Sequence, residues 1–394
     1  MKFRYEINSC KSSEYKDSLA IMSVYDPDGI IDDYIIFYLT SLKTVADRII
    51  VVINGKLNVS GEHKLRTVTD EIYIRENTGF DFGAYKDVLE HYLNPEEIKQ
   101  YQELILCNDT CFGPLVPFEK IFCKMRDKTL DMWSINYIDD LLLPHFQSYF
   151  MVFRKNTIGI LLDFLHKEVD SKAVELAQAH GYEHGLSEVL LMNHIKSSFF
   201  TYKPQQNYNI DIFKSPDYAI KYLSFPMLKK KVFSEDFYIK ESCAEALRII
   251  NENTEYPLKY IQETVKRVYH REIPEKIENS FSPKIYTFGG NETERKQVIE
   301  FCRMHKKIYV YGNGYMSKLF MARFRRYFSE FGGYIVSDEF YNEDFCKEEK
   351  VYPLSNIDRN APVIIALMRK STMQVMDKMR GRENVLFLSV KPSE

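Results

Sequence analysis

Two runs decide the fold: EIYIRENTGFDFGAY at residues 71–85 and ELILCNDTCFGP at residues 103–114. Residues 71–75 alternate as a short strand. After the Arg-Glu-Asn-Thr-Gly loop, Tyr85, Val88, Leu89 and Tyr92 recur at helical spacing within residues 84–93. The second run is an apolar strand over residues 103–107 that stops on Asn108 and Asp109, with Gly113-Pro114 just beyond. In an open α/β sheet ligands sit at the carboxyl ends of the strands, so two polar loops at successive strand ends predict one shared site.

Outward from this core the pattern repeats. Residues 18–25 form an apolar strand that runs into Asp26-Pro27-Asp28-Gly29, a turn signal before a helical run over residues 30–42. Residues 48–53 are the next buried strand, ending at Asn54-Gly55. Four short strands separated by helical or loop segments predict a mostly parallel sheet covered on both faces. Further on, helices are expected over 118–125 and 157–167, extended segments over 131–135 and 148–153, and a helix after Tyr182-Glu183-His184 with Leu186, Val189 and Leu190 on one face. Residues 211–283 turn to aromatic and basic helical segments. A second α/β pattern then begins: strand 307–311, the glycine loop Gly312-Asn313-Gly314, helix 318–328, and strands 333–336 and 362–367, with Asp338 just past the second strand. The expected division is a first α/β domain over 1–210, a helical linker or subdomain over 211–284 and a small Rossmann-like domain over 285–394.

At 394 residues the chain is long enough for two domains, each with its own core. A formal net charge of −3 gives no global attraction to nucleic acid or anionic lipid. The basic run Lys229, Lys230, Lys231 is the local exception, read either as a solvated helix end or as a lipid contact. No apolar run reaches membrane-spanning length and no signal-peptide core follows Met1, so a cytoplasmic protein is expected. Seven scattered cysteines without a Cys-x-x-Cys pair read as reduced thiols.

Each polar loop has a structural alternative. Asp81 could cap the following helix, Asn77 and Gly79 could only shape the turn, and Asn108 and Asp109 could form an Asx-turn. Their repetition at Asp26, Asn54, Asn77 to Asp81 and Asn108-Asp109 favours a sheet edge built to hold a polar ligand. In the C-terminal loop, Gly312 and Gly314 place backbone N–H groups at a helix N-terminus, which suits a phosphate, and Asp338 could accept a ribose hydroxyl. A nucleotide or nucleotide-sugar accessory site, an NAD(P) regulatory site and a purely structural domain all remain open there.

Three spaced motifs carry a family resemblance. Arg75-Glu76-Asn77-x-Gly79-Phe80-Asp81-Phe82-Gly83-Ala84-Tyr85, Asn108-Asp109-Thr110-x-x-Gly113-Pro114 and His145-x-Gln147-Ser148-Tyr149-Phe150 together resemble the rhamnan synthesis protein F family, bacterial glycosyltransferases of cell-surface polysaccharide assembly. The likeness covers roughly residues 18–235, including Ser224-Phe225-Pro226-Met227-Leu228-Lys229. It implies a GT-A type fold, a nucleotide-sugar donor with dTDP-rhamnose as first choice, and a polysaccharide or lipid-linked glycan acceptor at the inner face of the membrane. GT-A enzymes usually carry Asp-x-Asp, whose carboxylates hold Mg²⁺ or Mn²⁺ against the diphosphate. Here Asp109 alone occupies that place, flanked by Asn108 and Thr110. A divalent ion there would be completed by waters and phosphate oxygens. Tyr25, Asp26 and Asn54 would then suit the nucleobase and ribose, Arg75, Asn77, Gly79 and Asp81 the donor, and His145 and Gln147 the site lining. For the catalytic base, Glu183 and Glu188, taken to lie at the start of a late helix, come first, followed by Asp139 and Asp140.

Overall fold

The computed structural model describes residues 17–126, 128–139, 143–201, 212–273, 285–288, 292–342 and 350–390. The chain divides into two compact units, Met1–Tyr238 with Ala246–Lys276 and Ile239–Glu245 with Ile277–Glu394.

In the first unit the apolar runs become strands β1 (Ser18–Val24), β2 (Arg48–Asn54), β3 (Ile72–Arg75) and β4 (Glu103–Asn108). They are followed by β5 (Cys111–Phe112), β6 (Met132–Ser134), β7 (Tyr137–Ile138), β8 (His145–Phe146), β9 (Phe150–Arg154), β10 (Ser197–Phe199) and β11 (Leu228–Lys229). The main sheet has the order β10-β6-β9-β4-β1-β2-β3. All its pairs are parallel except those of β9, which runs antiparallel to β4 and β6. This is the expected mixed α/β architecture with a mostly parallel sheet.

Both faces of the central strands are buried, which is why these strands are apolar throughout rather than alternating. Helices α1 (Asp33–Leu42) and α2 (Val59–Arg66) connect the first three strands. Helix α3 (Phe80–Asp87) continues into a π-helical turn over Val88–Tyr92. Later come α4 (Pro95–Ile98), α5 (Phe118–Arg126), α6 (Lys155–Glu168) and α7 (Leu176–Met192). Leu19, Ile21, Ile50, Val52, Leu104 and Leu106 form one core with side chains of α3, α6 and α7. The alternate residues Ala20, Met22, Val51 and Ile105 are buried too, on the opposite face by the period-2 alternation of a strand.

Residues 212–273 were expected as a helical linker or subdomain. They contain α8 (Pro216–Tyr222), α9 (Lys240–Asn253) and α10 (Leu258–Tyr269), but also β11, which pairs antiparallel with β5. That pairing ties the segment directly to the Asn-Asp-Thr loop.

The second unit holds a six-stranded sheet of β12 (Ile285–Phe288), β13 (Lys307–Tyr311), β14 (Glu330–Val336), β15 (Val351–Pro353), β16 (Val363–Leu367) and β17 (Val385–Val390). Every pair is parallel, and the order is β12-β17-β16-β13-β14-β15. Ile364 and Ala366 face one core, Val363 and Ile365 another, so this sheet too is covered on both sides. The order reverses between β13 and β16, as in doubly wound folds. Among the described residues no helix is long and apolar enough to cross a membrane.

Candidate functional site

The carboxyl ends of β1, β2 and β4 meet in one hydrogen-bonded chain. Asn54 Nδ2 donates to Ser23 Oγ at 2.9 Å, Ser23 Oγ donates to Asp81 Oδ1 at 2.7 Å, and Asn108 Nδ2 donates to Asp81 Oδ2 at 2.7 Å. Asn54 and Asn108 end central strands, Ser23 stands one residue before the end of another, and all three are buried. Asp81 reaches them from the first turn of α3, and both of its carboxylate oxygens are engaged. Burial, before any neighbouring charge, pushes its pKa up to about 6, with Asp109 adding to the rise and the Ser23 and Asn108 hydrogen bonds opposing it.

Asp109 lies next to this chain and is braced by two long-range partners. Its Oδ2 accepts from Lys230 Nζ at 2.8 Å and from the Tyr34 hydroxyl at 3.2 Å. Lys230 Nζ also donates to Tyr34 Oη at 2.7 Å. The neighbouring Lys229 is buried, with its Nζ donating to Thr110 Oγ1 at 3.0 Å and standing 3.6 Å from the centre of the Tyr149 ring. Strand β11 sets this geometry: pairing Leu228 with Phe112 and Lys229 with Cys111 presents both lysines to the loop at residues 108–110. Lys229 and Lys230 are therefore turned toward the loop at residues 108–110 rather than forming a solvated helix end; of the basic run only Lys231 is exposed.

The remaining sequence candidates fall into three groups. Arg75 and Asp26 are anchored inside the protein. Arg75 donates to Asp87 at 2.7 Å, Asn54 Oδ1 at 2.7 Å, Thr78 O at 2.7 Å and Ser171 O at 3.0 Å. Asp26 accepts from the backbone N–H groups of Asp28 and Ile30 and pairs with Arg267 at 2.7 Å. Tyr25 is 48% exposed, Asn77 is exposed, and Gly79 is buried against Ser171.

The second group gathers around the segment leading into β9, whose first residue, Phe150, pairs with Cys107 near the end of β4. Glu183 Oε1 accepts from both the backbone N–H and the hydroxyl of Ser148, at 2.7 and 2.6 Å. Its other oxygen is 3.8 Å from His145 Nε2, and His145 Nδ1 is 2.8 Å from Leu143 O. Gln147 accepts from Asn136 at 3.2 Å. Glu183 lies near enough to Lys229 and Tyr149 to act on both electrostatically, so it belongs to the same polar region as Asp81. Glu188 instead lines a cavity of about 580 Å³ with Tyr137, Phe146, His184 and Phe199. Because α7 begins at Leu176, both glutamates sit well inside the helix rather than at its start, and the first-turn role considered for Glu188 does not apply. Asp139 is exposed, and Asp140 lies outside the described residues.

The third group, Gly312, Gly314 and Asp338, belongs to the second unit. Gly312 has φ +95 and follows β13 beside the order reversal; α11 (Glu292–Met304) precedes β13, and Gly314 immediately precedes α12 (Tyr315–Phe324). Asp338 accepts from the backbone N–H of Ser355 at 3.2 Å.

Sequence reasoning missed Ser23, Tyr34, Lys229, Lys230 and Arg267. Ser23 left a signal as a polar residue near the end of an apolar strand, and Lys229 and Lys230 left one only as part of a basic run that pointed elsewhere.

The metal that the Asp-x-Asp analogy implies finds a poor donor set. Asp109 contributes one carboxylate whose Oδ2 already faces an ammonium, and no cluster of three or more His, Cys, Asp or Glu suited to a metal exists among the described residues. Lys230 Nζ instead brings positive charge to 2.8 Å from the Asp109 carboxylate.

Fold and site define an α/β protein whose buried polar cluster lies at the carboxyl edge of a mostly parallel sheet. The sequence matches the description of rhamnan synthesis protein F over residues 49–331, and the chain belongs to that family. It is 25% identical over 144 residues to the uncharacterized protein y4gN of Sinorhizobium fredii, covering 36% of this chain and 37% of that protein. It is 24% identical over 199 residues to the virulence protein VirA of Vibrio anguillarum, covering 49% of this chain and 60% of that protein. The chain thus spans less than two thirds of either relative. Among solved structures, a cytidylyltransferase from Leptospira borgpetersenii aligns with 12% identity and TM-score 0.32, covering 60% of this chain and 94% of that one. Core-mannan synthase A from Aspergillus fumigatus, in an Mn/GDP form, aligns with 11% identity and TM-score 0.25, covering 50% and 75%.

Proposed function

We propose that the first unit is a glycosyltransferase of cell-surface polysaccharide synthesis, binding a nucleotide sugar at the crevice formed by Asp81, Asn108, Asp109 and the two lysines. Membership of the rhamnan synthesis family supports this reading, and makes dTDP-rhamnose the first donor to test. The observation that carries it is the convergence of two lysine side chains on the Asn-Asp-Thr loop at the carboxyl edge of the sheet, since a leaving diphosphate requires positive charge there.

In this scheme Asp109 holds Lys230 in place, while Asp26 and Asn54 lie on the nucleoside side. Glu183 is the base. The acceptor hydroxyl passes its proton to Glu183, its oxygen bonds to the anomeric carbon from the face opposite the leaving group, and the bond from that carbon to the diphosphate oxygen breaks with inversion. The acceptor is a polysaccharide or lipid-linked glycan met transiently at the inner membrane face by a cytoplasmic protein. Gly312, Gly314 and Asp338 form an accessory nucleotide site in the second unit.

A non-catalytic nucleotide-sugar-binding scaffold is the second reading, favoured by the internal partners that already occupy Arg75 and Asp109. Calorimetry against dTDP-, UDP- and GDP-sugars tests the first reading, which requires binding of at least one. Turnover separates the two, because a scaffold tolerates Asp109→Asn without loss of polysaccharide and an enzyme does not.

A further inference from the structure

Lys229 is a charged group in an unusual position. It is 7% exposed, its ammonium donates to the Thr110 hydroxyl at 3.0 Å, and among the described residues no carboxylate reaches it within ion-pair distance. Taking an ammonium out of water without a counter-charge costs several kilocalories per mole, so an evolved fold keeps one only where something offsets the cost. Burial accordingly pulls its pKa down, with Cys111, Glu183 and Asp81 opposing the fall from further off. Beneath it, the Tyr149 hydroxyl is buried with no hydrogen-bond partner among the described residues. One residue on, Lys230 is locked to Asp109 and Tyr34. Two ammonium groups on consecutive residues thus frame the loop at residues 108–110.

We propose that Lys229 and Lys230 form the diphosphate site of this protein and replace the divalent cation, so that nucleotide binding is metal-independent. The inference rests on the nucleotide-sugar reading above and adds what neutralises the leaving group. Lys229 has N–H donors to spare beyond Thr110 and provides the main contact to phosphate oxygens. Lys230 provides a second, oriented by Asp109. Two flexible ammoniums suit a diphosphate as point charges, without the bidentate geometry of arginine. The diphosphate is that of the nucleotide; a polyprenyl diphosphate from a lipid-linked acceptor offers the same chemistry and must be separated by experiment.

The test is calorimetry with dTDP, UDP and GDP, the matching nucleosides, and a detergent-solubilised polyprenyl diphosphate, each in EDTA and in Mn²⁺, on the full chain. The expected result is a nucleoside diphosphate affinity that changes less than about 2-fold between EDTA and Mn²⁺. Lys229→Met should weaken it roughly 30- to 100-fold while leaving nucleoside affinity unchanged. Lys230→Met should also weaken it and serves if Lys229→Met does not fold. In the absence of ligand, Lys229→Met should raise the melting temperature, because it removes a buried charge whose close contacts are a hydroxyl and the Tyr149 ring rather than a carboxylate; a purely structural lysine would lower it. Binding seen only with Mn²⁺ and insensitive to both lysine variants overturns the inference while leaving the nucleotide-sugar reading intact. Binding of the polyprenyl diphosphate in preference to every nucleotide reassigns the lysines to the acceptor and overturns it as stated. No nucleotide binding under either condition sinks the nucleotide-sugar reading itself, and this inference with it.

Discussion

Asp81 is the titrating centre of the polar cluster. Its folded-state pKa of about 6 lies above the ordinary carboxylate value because burial disfavours the charged form. Protonation therefore favours the folded protein: this contribution is complete below about pH 4 and is lost as pH rises through about 6. A carboxyl carbon resonance that disappears in Asp81→Asn should titrate with a midpoint near 6 in the wild type; a midpoint near 4 would mean that the carboxylate is solvated. The two glutamates of α7 separate at the same scale. Glu183→Gln keeps an oxygen to accept from Ser148, so the variant should fold and bind donor normally while kcat falls roughly 100-fold or more. Glu188→Gln should stay within a few-fold of wild type. Full activity in Glu183→Gln would move the base elsewhere, with Asp139 and Asp140 next in line.

At the scale of elements, the loop before α3 is held by its docking on residues 170–173. Arg75 and Thr78 both donate to Ser171 O, and Gly79 N donates to Ala173 O. Gly79 has φ +62, and a Cβ there would lie 2.7 Å from Ser171 Cα. Ser171 cannot easily retreat, because its carbonyl is held by two donors. Gly79→Ala should therefore destabilise the protein by about 2–4 kcal/mol, combining left-handed strain with a backbone clash. Urea unfolding measures this directly, and a loss under about 1 kcal/mol would show that the loop relaxes freely. Since α3 carries Asp81, donor affinity should fall in the same variant. The pairing of β5 with β11 does equivalent positioning work for the lysines: Leu228 and Phe112 are both buried, so the strand that delivers Lys229 is fixed by its apolar neighbours.

At the scale of the whole molecule, each unit has its own apolar core: the first around β1, β2, β4 and α3, the second on both faces of its six-stranded sheet. A fragment ending at Lys276 should fold cooperatively and retain nucleotide-sugar binding, as read by circular dichroism and calorimetry. A fragment that folds but no longer binds would make the second unit part of the site rather than an accessory to it.

What the sequence by itself determined was the part written in local pattern. Continuous apolar runs bounded by turn residues located β1, β2 and β4 within a residue or two, because a strand buried on both faces leaves that composition whatever its neighbours are, while the half-exposed β3 was legible from its alternation. Polar residues at the ends of those runs identified Asn54, Asp81, Asn108 and Asp109 as one group, since parallel strands bring their carboxyl ends to one edge. The glycine loop of the second unit was legible for the same reason. Only the tertiary structure decided which charges meet there. Lys229 and Lys230 reach Thr110 and Asp109 across 119 and 121 positions of sequence, and Arg267 reaches Asp32 across 235. Three consecutive lysines in a sequence look like solvated surface, because charge is usually left in water. Whether an ammonium is buried depends on which strand its own backbone pairs with, and β11 finds β5 through contacts that no local window contains.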